Sequence, residues 1–316
     1  MRDFYKHCSM CPRRCGIDRL SGERGFCRET SELRVGAAVI HRGEEPPLVG
    51  KGGSGTIFIS GCNLGCAFCQ NHQVSQGESS PMGRVVTKTE FAEICLALCD
   101  KGAENINIVT GSHTIPAIVE GLTAARDAGL SIPVLWNSSA YESVHALELL
   151  KDHVDIYLPD IKTLDSALAS RFFNAPDYPQ TAAAAILKMI DMAALRYGQN
   201  VYGKVIIRHL ILPGYLESTR SALRWFAENA MGRALLSLMT QYTPIRAGGR
   251  EELAKKAPAR YLKKEEYETV LGWLEEFGIE DGFCQELVTG SDWLPDFTRI
   301  NPFSSKLSVP VWHWSN

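Results

Sequence analysis

Six short apolar runs, each separated from the next by a helical pattern, constrain the fold of this chain of 316 residues more than any other feature. The runs are rich in Ile and Val and nearly continuous in apolarity, as strands buried on both faces are. Strands that alternate with helices build parallel sheets, so the pattern predicts an α/β fold, either a partial barrel or a doubly wound sheet. The predicted strands are 56–60, 105–110, 133–137, 154–158, 204–212 and 234–240.

The composition excludes several classes of partner. The chain is 45% apolar and 22% charged, which fits a globular protein with a large core. A formal net charge of −3 offers nothing typical of nucleic-acid or anionic-membrane binding. No apolar run approaches the roughly 20 residues that span a bilayer, and residues 1–6 lack the apolar stretch of a secretory signal. We therefore expect a cytoplasmic protein that binds neither nucleic acid nor membrane.

The cysteines predict metal sites. Seven of the ten fall within the first 69 residues, in two groups, and disulfides are disfavoured in a reducing compartment. The first group has the spacing C-x2-C-x3-C-x11-C, which closes a coordination shell of four thiolates and fits either zinc or a second [4Fe–4S] cluster. Its members are Cys8, Cys11, Cys15 and Cys27. The remaining three, Cys95, Cys99 and Cys284, are expected in the core.

The second group directly follows the first predicted strand, where parallel α/β folds place their active sites. Glycines at 61 and 65 allow the backbone to wrap around a bulky group, and Phe68 can shield it from water. Three thiolates would leave one iron of a [4Fe–4S] cluster open, as a reactive centre requires. The alternative is a structural zinc site completed by His72. The three thiolates belong to Cys62, Cys66 and Cys69.

These residues resemble the radical S-adenosylmethionine superfamily, whose signature is C-x3-C-x-aromatic-C after the first barrel strand. The wider context, Gly53–Phe58 with Gly61–His72 and the N-terminal Cys-x2-Cys-Pro-Arg-Arg-Cys-Gly-Ile-Asp-Arg, is similar to homologues of pyruvate formate-lyase activating enzyme. The resemblance runs from Cys8 to about Gly282. It implies a partial (β/α)6 barrel with a small N-terminal cysteine-rich lobe.

The resemblance also implies a chemistry. An electron from the cluster would cleave S-adenosylmethionine to methionine and a 5′-deoxyadenosyl radical, which abstracts hydrogen from a substrate. Reduced flavodoxin or ferredoxin is the implied electron donor, and a glycine of a partner protein is one possible substrate. A small molecule or another protein side chain is the second possibility. A third possibility is a non-catalytic interaction protein in which both cysteine groups are structural zinc sites.

Polar residues at the other strand ends are expected to contact S-adenosylmethionine. The family often carries a Gly-Gly-Glu turn after the second strand, and this chain lacks its glutamate, so Thr110, Ser112 or backbone carbonyls would substitute. Asn137 and Ser139 could bond the ribose or cap the next helix. His113 could donate a proton, contact substrate, or simply precede a helix.

The next two strands contribute charged residues to the same prediction. Asp160 and Lys162 match an Asp-x-Lys of the family and suggest ligand placement or cation binding, although a surface ion pair is the alternative. Arg208 lies inside a buried strand, where a charge needs a partner, and a ligand carboxylate would provide one.

The sequence suggests three regions. Residues 1–50 form a metal-binding lobe, 51–290 the barrel, and 291–316 a C-terminal extension. Within the barrel, residues 241–260 are predicted to form a polar surface loop.

Overall fold

The chain divides into two compact units. The computed structural model describes residues 2–76, 81–245, 252 and 255–316. The first unit consists of Met1–Asn63, Asn71–Asp155 and Pro295–Asn316, and the second consists of Leu64–Gln70 and Ile156–Leu294. These units do not test the region boundaries predicted at residues 50 and 290, which stay a prediction.

The first unit is built on a mixed sheet. Its strands are β1 (Leu33–His41), β2 (Ser54–Ile59), β3 (Arg84–Val86), β4 (Ile106–Val109), β5 (Val134–Ser138) and β10 (Ser308–His313). The sheet runs β10-β1-β2-β4-β5, with β3 also on β1. Strands β2, β4 and β5 are parallel, and the partners of β1 are antiparallel to it. Register pairs Phe58 with Val109 and Val109 with Asn137, which brings the carboxyl ends of the three parallel strands to one edge.

Helices lie between and after the strands of this unit. They are α1 (Pro46–Val49), α2 (His72–Gln76), α3 (Lys88–Asp100), α4 (Ile115–Asp127) and α5 (Val144–Leu147). Helix α3 begins with a capping box, in which the Thr87 side chain accepts from the Glu90 N–H while the Glu90 side chain accepts from the Thr87 N–H. Short 3-10 turns lie at Arg2–Tyr5, Arg19–Ser21 and Glu148–Leu150.

The second unit continues the same alternation. Its strands are β6 (Ile156–Pro159), β7 (Ile206–Leu210), β8 (Leu235–Met239) and β9 (Gly282–Cys284). Strands β7, β8 and β9 are parallel, and β6 joins β7 through parallel bridges at Tyr157–Val205 and Asp160–Arg208. Its helices are α6 (Ser166–Phe173), α7 (Tyr178–Tyr197), α8 (Leu216–Asn229) and α9 (Lys264–Glu276), with a 3-10 turn at Gly198–Val201.

The predicted α/β class is confirmed, and the six predicted strands correspond to β2, β4, β5, β6, β7 and β8. The sequence analysis missed the strands β1, β3, β9 and β10 and the short helices α1, α2 and α6. Cys95 is buried as expected and Cys99 is half-buried, whereas Cys284 is exposed on β9, at the edge of the sheet β7-β8-β9, so the core prediction is wrong for Cys284. Residues 246–251 and 253–254 of the predicted loop lie outside the described residues. In the described part of the chain, no helix is long and apolar enough to cross a membrane.

Candidate functional site

Buried polar residues cluster at the carboxyl ends of β4 and β5 in the first unit. Ser112, Asn137 and Ser139, all predicted site residues, are buried there. Thr110 has a φ of +64°, and its N–H donates to the Asn137 carbonyl at 2.9 Å. A left-handed conformation is strained for a β-branched residue, and such strain tends to persist at functional sites. The structure therefore brings these four predicted residues to one edge of the sheet.

Glu142 holds the end of β5 through two buried hydrogen bonds, and the sequence analysis did not single it out. The side chain is 2% exposed. Its carboxylate accepts from Trp136 Nε1 and from Ser138 Oγ, each at 2.7 Å. Burial raises the pKa of Glu142, and the hydroxyls of Ser138 and Ser112 with the Trp136 N–H partly offset that effect. No Lys, Arg or His within the described residues lies within ion-pair distance of this carboxylate.

The first half of the cysteine loop follows β2 in the same unit. Cys62 is buried, and Gly61 before it has a φ of +82°, which confirms the predicted need for glycine there. The Cys62 carbonyl accepts from Gln76 Nε2 at 2.8 Å. Asn63 is also buried, and its Nδ2 donates to the Tyr141 carbonyl at 2.6 Å. The backbone at Cys62 and Asn63 is thus fixed by hydrogen bonds from Gln76 and to Tyr141.

The second half of the loop belongs to the second unit. The Cys69 N–H donates to the Cys66 carbonyl at 3.3 Å, which closes a turn between two predicted ligands. The ring of Phe68 packs on Phe172 and Tyr242, with centroids 5.7 and 6.0 Å away. These aromatic contacts bury Phe68, which lies between the two cysteines in the sequence; its shielding role stays a prediction.

The Asp-x-Lys segment follows β6. Lys162 Nζ lies 2.5 Å from Asp160 Oδ2, and both side chains are about one-fifth exposed. The Tyr178 hydroxyl donates to the Asp160 carbonyl at 2.8 Å and accepts from the Lys162 N–H at 2.9 Å, so the segment is fixed at both residues. Burial alone would lower the pKa of Lys162, but the charges of Asp160 and Cys66 raise it, so the ammonium stays charged. This pair is buried more deeply than an ordinary surface ion pair.

Arg208 and His209 lie side by side on β7. Arg208 is buried on the strand next to β6, and its carbonyl accepts from the Ile161 N–H at 2.8 Å. His209 Nδ1 donates to the Ile161 carbonyl at 2.6 Å, and its Nε2 faces Thr219 Oγ1 at 3.0 Å. A carbonyl can only accept, so the proton resides on Nδ1 and the Thr219 hydroxyl donates to Nε2.

The buried His209 predicts a pH-dependent stability. Burial lowers the pKa of His209 to about 4, against an ordinary value of 6.5. Only the unfolded chain takes up this proton between those values, so stability falls as the pH drops below 6.5. Between pH 7.5 and 5.5 we expect His209→Gln to lose about 1.4 kcal/mol less free energy of unfolding than the wild type does. Denaturant unfolding at both pH values measures this, and equal losses would contradict it.

His113 is structural by its surroundings. It is buried, and its Nε2 donates to the Ser60 carbonyl at 2.9 Å. Burial, together with the nearby Arg19, lowers the pKa of His113 to about 3. A ring that is neutral at physiological pH does not supply a ready proton, so the geometry disfavours the acid role considered for this residue.

The N-terminal cysteines lie in the first unit. Burial raises the pKa of Cys11 to about 12 and the pKa of Cys27 to about 11. The nearby Cys8 thiolate raises both pKa values further. The Phe26 N–H points to Cys15 Sγ at 3.5 Å. Across the described residues, no three or more His, Cys, Asp or Glu side chains are already grouped to hold a metal ion. Both metal sites therefore stay predictions, although buried thiols are the donors that zinc and iron–sulfur clusters prefer.

Parallel strands with buried polar residues at their carboxyl ends define an α/β protein of the kind that binds cofactors at strand ends. The sequence model of the Radical SAM superfamily matches residues 56–226, more than half of the chain. The chain therefore belongs to the radical S-adenosylmethionine superfamily. Membership implies a [4Fe–4S] cluster and S-adenosylmethionine as cofactors.

Relatives agree with this membership. The uncharacterised protein MJ0674 of Methanocaldococcus jannaschii is 32% identical over 285 residues, covering 88% of this chain and 77% of that protein. A second protein of the same organism, MJ0808, is 24% identical over 252 residues, covering 73% and 68%.

Among solved structures, Streptococcus suis SuiB bound to S-adenosylmethionine matches with a TM-score of 0.50 at 15% identity. SuiB bound to the precursor peptide SuiA also matches with a TM-score of 0.50, at 17% identity. The matches cover 71% of this chain and 48% or 46% of SuiB, so the chain spans about half the length of that neighbour. At these identities the likeness concerns the fold alone.

Proposed function

We propose that this protein is a radical enzyme in which Cys62, Cys66 and Cys69 hold the [4Fe–4S] cluster of its superfamily. The observation that carries the proposal is the C-x3-C-x2-C loop, which begins directly after β2 in a chain that matches the superfamily model. When bound, the cluster supplies the electron that cleaves S-adenosylmethionine to methionine and a 5′-deoxyadenosyl radical, which abstracts hydrogen from the substrate.

The chain's own residues would bind and orient the cofactor. Thr110, Ser112, Asn137 and Ser139 offer hydroxyl, amide and carbonyl groups at the ends of β4 and β5, suited to an amino group or a ribose. The Thr110 N–H donates to the Asn137 carbonyl, and Glu142 holds the neighbouring Ser138, so the backbone of the two strand ends loses less freedom when a ligand binds.

Two cationic side chains would pair with the carboxylate of S-adenosylmethionine. Arg208 is buried on β7 and always charged, and Lys162 keeps its charge beside Asp160. Phe68 and its aromatic neighbours would exclude water from the second half of the loop, since a carbon radical reacts with almost any group nearby.

The substrate and the electron donor belong to the proposal as well. A glycine of a partner enzyme remains the first candidate, from the resemblance to pyruvate formate-lyase activating enzyme, with reduced flavodoxin or ferredoxin as donor. That SuiB binds a precursor peptide supports a protein or peptide substrate in general. A small molecule is the alternative. Glycyl-radical EPR with candidate partner proteins separates these possibilities.

The test is anaerobic reconstitution of the full chain with iron and sulfide. We expect a brown protein that forms 5′-deoxyadenosine only when a reductant and S-adenosylmethionine are both present. A colourless, zinc-loaded protein that forms no 5′-deoxyadenosine would instead favour the non-catalytic alternative, in which both cysteine groups are structural zinc sites.

A further inference from the structure

The N-terminal cysteine segment, defined here as residues 2–32, contacts the loop that carries Cys62. We propose that a thiophilic metal centre on Cys8, Cys11, Cys15 and Cys27, zinc or iron–sulfur, holds this segment as a support that fixes the Cys62 loop for cluster assembly. The inference rests on the proposed function, because it assigns Cys62 to the cluster. Three arginines of the segment carry the argument.

The first support is Arg13, which lies between Cys11 and Cys15 in the sequence. Its Nε donates to the Asn63 carbonyl, next to Cys62, at 2.8 Å. The guanidinium lies over the ring of Phe26, with its carbon 3.8 Å from the ring centroid. Because Arg13 is held by Phe26 and bonded to Asn63, it keeps the residue after Cys62 at a fixed position relative to the cysteine segment.

The second support begins at Arg28, the residue after Cys27. Its guanidinium donates to the Gln76 carbonyl at 3.1 Å, and Gln76 Nε2 donates to the Cys62 carbonyl at 2.8 Å. Arg28 has a φ of +64°, and Arg14, just before Cys15, has a φ of +42°. Left-handed conformations are disfavoured for residues with a Cβ, so something must hold the backbone there. Metal bonds to the adjacent cysteines would do so.

The third support is Arg19, which is only 1% exposed. One guanidinium nitrogen donates to the His113 carbonyl at 2.6 Å and lies 3.9 Å from Cys8 Sγ. The His113 ring in turn donates to the carbonyl of Ser60, just before the Cys62 loop. Within the described residues no carboxylate lies within ion-pair distance of Arg19. A buried cation without a direct ion pair is costly, and metal-bound thiolates at Cys8 and its neighbours would add negative charge close to Arg19, beside the more distant Glu29.

The test compares two neighbouring arginines in the full chain. Arg13→Lys removes the support at Asn63, whereas Arg14→Lys makes the same chemical change at an exposed side chain. Both variants and the wild type are reconstituted anaerobically, and iron and zinc per chain are measured. The EPR signal of the reduced cluster is then recorded with and without S-adenosylmethionine. The part of the signal that changes when S-adenosylmethionine is added is called the responsive signal. We expect Arg13→Lys to lower the responsive signal about tenfold, the scale found when residues that orient metal ligands are replaced. Arg14→Lys should match the wild type.

A second variant covers the case in which Arg13→Lys fails to fold. Cys11→Ser removes one ligand of the N-terminal centre, and we expect it to lose both that centre's metal and the responsive signal. A responsive signal of wild-type size in Arg13→Lys, or in Cys11→Ser after its N-terminal metal is lost, overturns the support. A wild type without any responsive cluster overturns the proposed function and this inference together. Metal analysis of the wild type decides between zinc and iron–sulfur.

Discussion

Replacing Cys66 by Ala is expected to reduce 5′-deoxyadenosine formation to the background of a reaction without enzyme. Each thiolate of the C-x3-C-x2-C loop would hold one iron, so the variant keeps two protein ligands for a cluster that needs three. Cys66 is buried, and the Cys69 N–H donates to its carbonyl. Cys62 and Cys69 are the other cysteines of this loop and would already hold iron, so none is left to take the place of Cys66. Chromatographic detection of 5′-deoxyadenosine after anaerobic reconstitution measures the effect.

Cys284→Ala is the matched control for this experiment. Cys284 is exposed on β9 and has no place in either predicted metal site, so its removal should leave the rate unchanged. Iron and sulfide per chain are measured in parallel, since Cys66→Ala should lower both. If the Cys66 variant still cleaves S-adenosylmethionine at the wild-type rate, the assignment of this loop to the cluster is wrong.

Local patterns accounted for much of the fold. The parallel strands are buried on both faces, so each appears in the sequence as a continuous apolar run, and Thr87 with Glu90 marks a helix start over four residues. The antiparallel strand β1 was missed because Arg34 and Gly36 interrupt its apolar run early. Strands β3 and β9 have only three residues each, which is too short for a periodic pattern.

The candidate site was predictable only in part, for a related reason. Cys62 and Thr110 were found because each follows a recognisable strand. Arg19 and Glu142 were not, because the sequence does not show that either charge is buried; the partners of Glu142 are near in the sequence, whereas one partner of Arg19 is distant. Arg19 reaches the carbonyl of His113, 94 residues further along the chain. A buried charge of this kind resembles any surface charge until the fold is known.

Glu142→Ala is expected to be strongly destabilising. The carboxylate accepts from Trp136 Nε1 and Ser138 Oγ, each at 2.7 Å. Removing it leaves these buried donors without an acceptor, at about 1–3 kcal/mol each. We therefore expect the free energy of unfolding to fall by about 3 kcal/mol or more. Denaturant unfolding measures it, and Glu93→Ala, on the exposed face of α3, should change it by no more than about 0.5 kcal/mol.

Glu142→Gln separates the charge of this side chain from its hydrogen bonds. The amide oxygen can still accept from Trp136, and the hydroxyl of Ser138 can turn to accept from the new N–H₂, so the loss should be about 1 kcal/mol or less. Burial raises the pKa of Glu142 above its ordinary 4.5, so the folded wild type holds this proton more tightly than the unfolded chain does. The wild type therefore loses stability as the pH rises through that interval, and the Gln variant does not share this loss. If Gln proved as damaging as Ala at neutral pH, the negative charge rather than the hydrogen bonds would be what the strand ends require.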